Sequence, residues 1–160
     1  MILYRFAQER YGHDLSGNGA RLYGGRWNPP GIPVVYTSSS ISLALLELIA
    51  NSGSLEYLQH MHLIELQVPD ELAKNPHRFD QLKKNWYQDL DYTRWMGKKM
   101  LQTAQSLLCA CPSVIVPQEW NYLVNPMHAD IRKLSIRKTQ HFHFDERLFR
   151  KTNTTIALQS

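Results

Sequence analysis

The stretch Gly19-Ala20-Arg21-Leu22-Tyr23-Gly24-Gly25-Arg26-Trp27-Asn28-Pro29-Pro30-Gly31 sets two arginines and two aromatic rings among four glycines. Glycine lets main chain approach a ligand at torsions other residues avoid, and the guanidinium fork matches phosphate oxygens. Read as a site, the segment takes a flat, anionic ligand. Read otherwise, it is a surface loop with ordinary turn glycines and solvated arginines.

Glu47 is the second residue to explain, because it interrupts the apolar run Leu43-Ala44-Leu45-Leu46-Glu47-Leu48-Ile49-Ala50. At about 100° per residue, Leu43, Ala44, Ala50 and Asn51 share its side of a helix, whereas Leu45, Leu48 and Ile49 point toward a core. Small neighbours leave room for a ligand beside the carboxylate. Equally, Glu47 can pair with Arg26 or Arg5, or reach solvent at the helix edge. Tyr36, just ahead of Ser38-Ser39-Ser40, offers a ring for stacking or for the core. Ser113 lacks the Gly-x-Ser-x-Gly elbow of a nucleophile and reads as a hydrogen-bonding serine. The donors and acceptors of Asn121 to His128 serve either a ligand or the turn itself.

Other chemistries are missing their marks. Gly17-x-Gly19 has Leu22 where a dinucleotide-binding turn needs its third glycine, and there is no phosphate loop ending in Gly-Lys-Ser/Thr. His141 and His143 share a strand face without a third ligand, so no metal site is expected.

These residues need elements to position them. Ile2–Phe6 and Val34–Thr37 read as strands around the glycine-rich loop. The serines then offer N-caps for a helix over Ile41–Asn51, with Gly53 as its stop. Alternation predicts a strand over His62–Val68, with Ile64, Leu66 and Val68 on one face, closed by Pro69. Residues 76–95 are polar and weakly helical. A helix is expected over Trp95–Cys109, ended by Pro112, then strands at Ser113–Val116, Ile131–Ile136 and His141–Phe144, with Asn121–His128 as a loop. Short strands without regular strand-helix-strand alternation imply an α+β fold.

At 160 residues and 43% hydrophobic content, the chain suits one domain with a full core. Cys109 and Cys111 are too close in sequence for a comfortable structural disulfide and are expected as reduced core thiols. No signal segment and no apolar run near the roughly 20 residues of a membrane span is evident, so a cytoplasmic protein is expected and the Asn153-Thr154-Thr155 sequon carries no weight. The net charge of +4 and pI near 9.1 come partly from Arg132, Lys133, Arg137, Lys138, Arg147, Arg150 and Lys151. They suit a pyrophosphate or an acidic protein partner, and no basic-aromatic repeat implies direct nucleic-acid binding.

Taken together and in order, Tyr4-Arg5, Gly19-Ala20-Arg21, Gly24-Gly25-Arg26-Trp27-Asn28, Val35-Tyr36-Thr37-Ser38, Ala44-Leu45-Leu46-Glu47, Pro112-Ser113 and Asn121-Tyr122-Leu123-Val124-Asn125-Pro126-x-His128 resemble the RES domain, the toxin of RES-Xre toxin-antitoxin modules. The resemblance implies one domain over residues 1–150 with a tail at 151–160, and a split β-sheet with flanking helices similar to ADP-ribosyltransferases. It implies Arg26, Glu47 and Ser113 as catalytic residues and Arg5, Tyr36, Trp27 and Asn121 as substrate-binding positions. The activity implied is cleavage of the nicotinamide–ribose bond of NAD, by a glycohydrolase or phosphorylase, with ADP-ribosylation of a protein as the alternative and a non-enzymatic binding module as a third reading. NAD is then substrate, with no cofactor or metal required. The partners implied are an Xre-family antitoxin that blocks the cleft and a second copy in a homodimer. Residues 75–92 carry no mark of the family and are read as a variable lid or partner surface.

Overall fold

The computed structural model describes residues 1–52 and 55–149. Strands β1 (Ile2–Gln8), β2 (Val35–Ser38), β3 (Met61–Gln67), β4 (His77–Arg78), β5 (Leu108–Pro112), β6 (Trp120–Val124) and β7 (Ser135–His141) form one mixed sheet in the order β4-β5-β6-β2-β1-β3-β7. All neighbours run antiparallel except β4 and β5. The helices are α1 (Asn18–Tyr23), α2 (Ile41–Asn51), α3 (Leu55–Leu58), α4 (Asp70–Ala73) and α5 (Leu90–Thr103).

The sheet is split. β1 pairs with β3 along its whole length, and β2 pairs with β6 from Val35 to Ser38. Between β1 and β2 only Tyr4 and Ser38 face each other. The two strands diverge from that point, and the gap is where the cavities described below lie. The expected α+β class and split sheet are those observed.

Three clusters pack the sheet, and the first spans both of its halves. In β5 and β6, Leu108 and Val124 face a cluster with Leu3, Val35, Leu66, Val68 and Leu107, while Cys109, Cys111 and Leu123 face the opposite one with Trp27, Val34, Phe79, Met100 and Leu101. The Leu45, Leu48 and Ile49 face of α2 rests on a third cluster with Leu58, Met61, Phe6 and Phe142. The predicted contact of that face is present, but Leu43 and Ala44, expected on the Glu47 side, are the most deeply buried residues of the helix, so α2 is covered on both sides. Both cysteines are free and buried, and burial pushes both thiols well up from their ordinary range, which leaves them protonated and unreactive.

Ser40 caps α2 by accepting a hydrogen bond from the Leu43 N–H at 3.1 Å. Gly53, the expected stop, lies outside the described residues, as do the sequon and the 151–160 tail. At the glycine-rich loop α5 comes into main-chain contact: a Cβ on Gly97 would lie 1.7 Å from the Trp27 carbonyl oxygen. Only glycine permits that approach.

Several boundaries differ from the expectation. The helix expected over Trp95–Cys109 begins earlier, at Leu90 with Asp89 as its cap, and ends at Thr103 with Ala104 at φ 50°. Leu108 to Cys111 are instead fully buried strand. A short apolar run covered on both faces has no period to distinguish it from helix. Ser113–Val116 is a turn tied by the Ser113 hydroxyl, which accepts from the N–H groups of Ile115 and Val116 at 3.0 Å. The expected loop from Asn121 begins as β6. Ala129–Lys133 is a 3₁₀ turn capped by His128 Nδ1, the last strand runs from Ser135 to His141, and only His141 of the expected His141–Phe144 strand belongs to it.

Candidate active site

Glu47 leaves α2 on the same side as the buried Leu43 and Ala44 and meets two donors from the neighbouring half-sheet. The Ser113 hydroxyl donates to Oε1 at 2.8 Å, and Asn121 Nδ2 donates to the same oxygen at 2.5 Å. Oε2 takes no hydrogen bond from the described residues. Neither Arg26 nor Arg5 pairs with it, so the ion-pair reading of Glu47 is set aside among the described residues. Its partners are neutral, so its negative charge is oriented without being cancelled.

Both donors are themselves fixed. Ser113 is 1% exposed and its oxygen already accepts two main-chain N–H bonds, so its proton goes to Glu47. Asn121 Oδ1 accepts from Ser38 Oγ at 2.6 Å.

The carboxylate lines two adjoining cavities. The larger, about 760 Å³, is bounded by Gly24, Gly25, Arg26, Tyr36, Asn121 and the apolar rim Val114-Ile115. The smaller, about 220 Å³, lies in the split of the sheet between Arg5 on β1 and Tyr36 on β2. Arg26 Nη1 donates to the Tyr87 carbonyl at 3.0 Å. Arg5 donates to the carbonyls of Asp14 and Tyr11 at 3.0 and 3.3 Å. Burial lowers the Arg5 pKa from its ordinary value, against the nearby Asp14 carboxylate, which raises it; an arginine starting so high stays cationic. Both guanidiniums are held by main-chain oxygens, and each arginine lines one of the two cavities.

Tyr36 has two uses. Its ring lines the cavities, while its hydroxyl donates to Asn28 Oδ1 at 2.8 Å and accepts from the Trp27 N–H at 2.9 Å. Burial pushes the phenol pKa up, which keeps the donating proton in place. Asn28, fully buried, returns its Nδ2 to the carbonyls of Ala20 and Ile32 at 2.8 Å. The glycine-rich loop is therefore folded around an internal amide.

Of the expected site residues, Arg26, Glu47, Ser113, Arg5, Tyr36 and Asn121 come together. Trp27 touches the cavity only at its margin: it is 3% exposed and stacked on Phe79 with ring centroids 4.7 Å apart. It supports the wall. The two arginines of the loop part company: Arg21 lies on the surface bonded to Asn18, whereas Arg26 lines the larger cavity. Sequence reasoning missed Ser38 as a site neighbour, taking it only as a possible helix cap, and missed Asn28 as the loop's internal anchor. A polar residue at the end of a strand facing a second polar strand position was the available signal for Ser38. The weakly helical segment contributes the Tyr87 carbonyl that holds Arg26. Among the described residues no group of three or more His, Cys, Asp or Glu is placed to hold a metal ion, and no helix is long and apolar enough to cross a membrane.

The split sheet thus brings one carboxylate to two adjoining cavities, each also lined by one arginine that forms no ion pair among the described residues. Residues 2–145 match the RES domain model, and the chain belongs to the RES domain family. It is 38% identical over 144 residues to a protein named Prs ADP-ribosylating toxin from Sphingobium sp., covering 86% of this chain and 88% of that one. It is 36% identical over 152 residues to Toxin Res of Photorhabdus laumondii, covering 92% and 97%. A crystal structure of the M. tuberculosis MbcT-MbcA toxin-antitoxin complex contains a chain that superposes with a TM-score of 0.66 at 18% identity, over 88% of this chain and 83% of that one. At that identity the likeness is one of fold.

Proposed function

We propose that this protein is the toxin of a bacterial toxin-antitoxin module and consumes NAD by breaking its nicotinamide–ribose bond. The observation that carries the reading is Glu47: one oxygen held by two neutral donors and the other, among the described residues, unbonded, in a cavity whose described cations form no ion pair with it. In the reaction the C–N bond breaks heterolytically, its electron pair neutralises the pyridinium as nicotinamide leaves, and positive charge develops at the anomeric carbon. Glu47 stabilises that charge electrostatically. An acceptor then adds to the anomeric carbon, and if it is water a proton is released to solvent. Arg26 and Arg5 hold pyrophosphate or ribose oxygens, the Tyr36 ring packs against the nicotinamide, and Ser113 with Asn121 orients Glu47. Nicotinamide is a sufficient leaving group, so the residues present account for the step.

The acceptor separates the finer readings. Water gives a glycohydrolase and phosphate a phosphorylase. Transfer to a protein side chain is the second reading, favoured by the name of the Sphingobium relative and by the half-exposed Val114 and Ile115 at the cavity rim. A cytoplasmic location, an Xre-family antitoxin over the cleft and a homodimer complete the proposal; the first two agree with the sequence composition and with the structural neighbour being part of a toxin-antitoxin complex.

Nicotinamide release from NAD by the purified protein and by Glu47→Gln, with and without phosphate and with the ribose product weighed by mass spectrometry, tests the proposal. Glu47-dependent release of ADP-ribose is expected for the glycohydrolase, and a phosphate-dependent phosphorylated product for the phosphorylase. NAD binding without release points to a protein acceptor. Absence of binding returns Glu47 to a structural role.

A further inference from the structure

Ser38 stands where the sheet divides. It is the last residue of β2, faces Asn121 on β6, and forms with Tyr4 the single pair that joins the two half-sheets. It is 4% exposed, and the cap of α2 is Ser40, so its hydroxyl is not used by the helix. That hydroxyl is 2.6 Å from Asn121 Oδ1, and the other end of the same amide reaches Glu47 Oε1. We propose that Ser38 is a positioning residue for Glu47, acting through the orientation of the Asn121 amide. The inference rests on the reading of Glu47 given above.

The two ends of an amide are alike in size and opposite in hydrogen-bond sense. With Nδ2 toward Glu47 a donor meets an anion. Reversed, Oδ1 would face a carboxylate oxygen and two acceptors would meet. The first orientation turns Oδ1 toward Ser38, itself 4% exposed, whose hydroxyl supplies the donor it needs. Without that hydroxyl the amide either keeps a half-buried oxygen without its protein donor or turns away from Glu47, and each outcome costs hydrogen-bond energy. Ser113 cannot substitute, because its oxygen is tied into the Ile115–Val116 turn and its proton already goes to Oε1.

Two donors from separate segments, β6 and the turn after β5, are what hold Oε1 in one place. Losing one leaves a carboxylate that can pivot about the other. Charge stabilisation at a reacting carbon is sensitive to displacements well below an ångström-scale rearrangement of the site. The effect of Ser38 should therefore fall on the chemical step and not on the affinity for NAD.

The test uses Ser38→Ala, Asn121→Ala and the double variant of the full chain, each checked for an unchanged fold by thermal melting. Ser38→Ala is expected to lower kcat for nicotinamide release about tenfold, with KM within about twofold. The double variant should be no slower than Asn121→Ala alone, because both changes break one relay. A second arm needs no turnover. In a ¹⁵N spectrum the two Asn121 side-chain amide protons, one of them bonded to a carboxylate, should be well separated, and Ser38→Ala should draw them together. Failure of the NAD reading and failure of the relay are thus told apart. The proposal is overturned by wild-type kcat and amide signals in Ser38→Ala, by effects that multiply in the double variant, or by a raised KM with kcat intact.

Discussion

Glu47 is gripped by side chains from the opposite half of the sheet, Ser113 and Asn121, both on one oxygen, whereas Arg5 and Arg26 are steadied by main-chain carbonyls of their surroundings. The two signs of charge share one pair of connected cavities yet do not pair with each other. An ion pair between them would satisfy both and leave little for a ligand. Under the proposed reading, keeping them apart leaves the negative charge for a developing cation and the positive charges for a phosphate. It also means the carboxylate depends on a few specific side chains, while the guanidiniums depend on loop backbone being in the right place.

That contrast can be broken at several points, beginning with the carboxylate. Glu47→Gln keeps the hydrogen-bond acceptor and removes the charge, so kcat should fall about 10²- to 10³-fold, or roughly 3–4 kcal/mol, in a protein that melts normally; single-turnover nicotinamide release measures it, and near-normal turnover would remove Glu47 from the chemistry. Next is the backbone on which Arg26 depends. Gly97→Ala puts a methyl where the Trp27 carbonyl now lies, and urea unfolding should show a loss near the upper end of the roughly 1–3 kcal/mol range for overpacking. Gly19→Ala, where a Cβ meets nothing within 4 Å, is the control and should stay within about 0.5 kcal/mol.

The arginines themselves should behave differently from Glu47. Arg5→Gln and Arg26→Gln are each expected to cost about 1.5–3 kcal/mol of binding, read as KM for NAD rising roughly 10- to 100-fold with kcat less affected; an unchanged KM would mean the cations serve the fold. The smallest effect is expected at Tyr36→Phe, which keeps the ring and strips the hydroxyl from Asn28 Oδ1 and the Trp27 N–H. About 1–3 kcal/mol of stability should be lost for the groups left unpaired, with turnover falling only as the loop loosens. A fall in turnover larger than the stability loss would instead give the hydroxyl a direct part in the site.

Much of this was legible in the sequence where a residue type had one dominant physical demand. The periodicity of Ile41–Asn51 marked Leu45, Leu48 and Ile49 as a packed face but not that Leu43 and Ala44 beside Glu47 are buried more deeply still, and the serines before it marked its start. The glycine-rich segment announced a tight loop bearing an arginine. Less legible were residues whose neighbours come from far along the chain. Leu108 to Cys111 looked helical because a strand buried on both faces carries no alternation. The end of α5 at Ala104 has no glycine to signal a left-handed residue. Trp27 was expected at the ligand and lines the larger cavity while almost wholly buried against Phe79 and Trp86, a double placement that no local pattern signals.

The sequence by itself therefore determined the class of the fold, the helix that carries the carboxylate, the loop that carries Arg26 and the family to which both belong. These follow from local rules: hydrophobic period, capping and the torsions glycine allows. Tertiary structure alone decided that Glu47 would be held by Ser113 and Asn121 and not by an arginine, that Arg21 would face solvent while Arg26 faces the cavity, and that the Tyr36 hydroxyl would be given to the loop. Those outcomes depend on which groups 60 to 75 positions apart arrive within hydrogen-bond distance, as Ser113 and Asn121 do at separations of 66 and 74 from Glu47. Such distances are set by how two half-sheets meet at Tyr4 and Ser38, a geometry that no local pattern encodes.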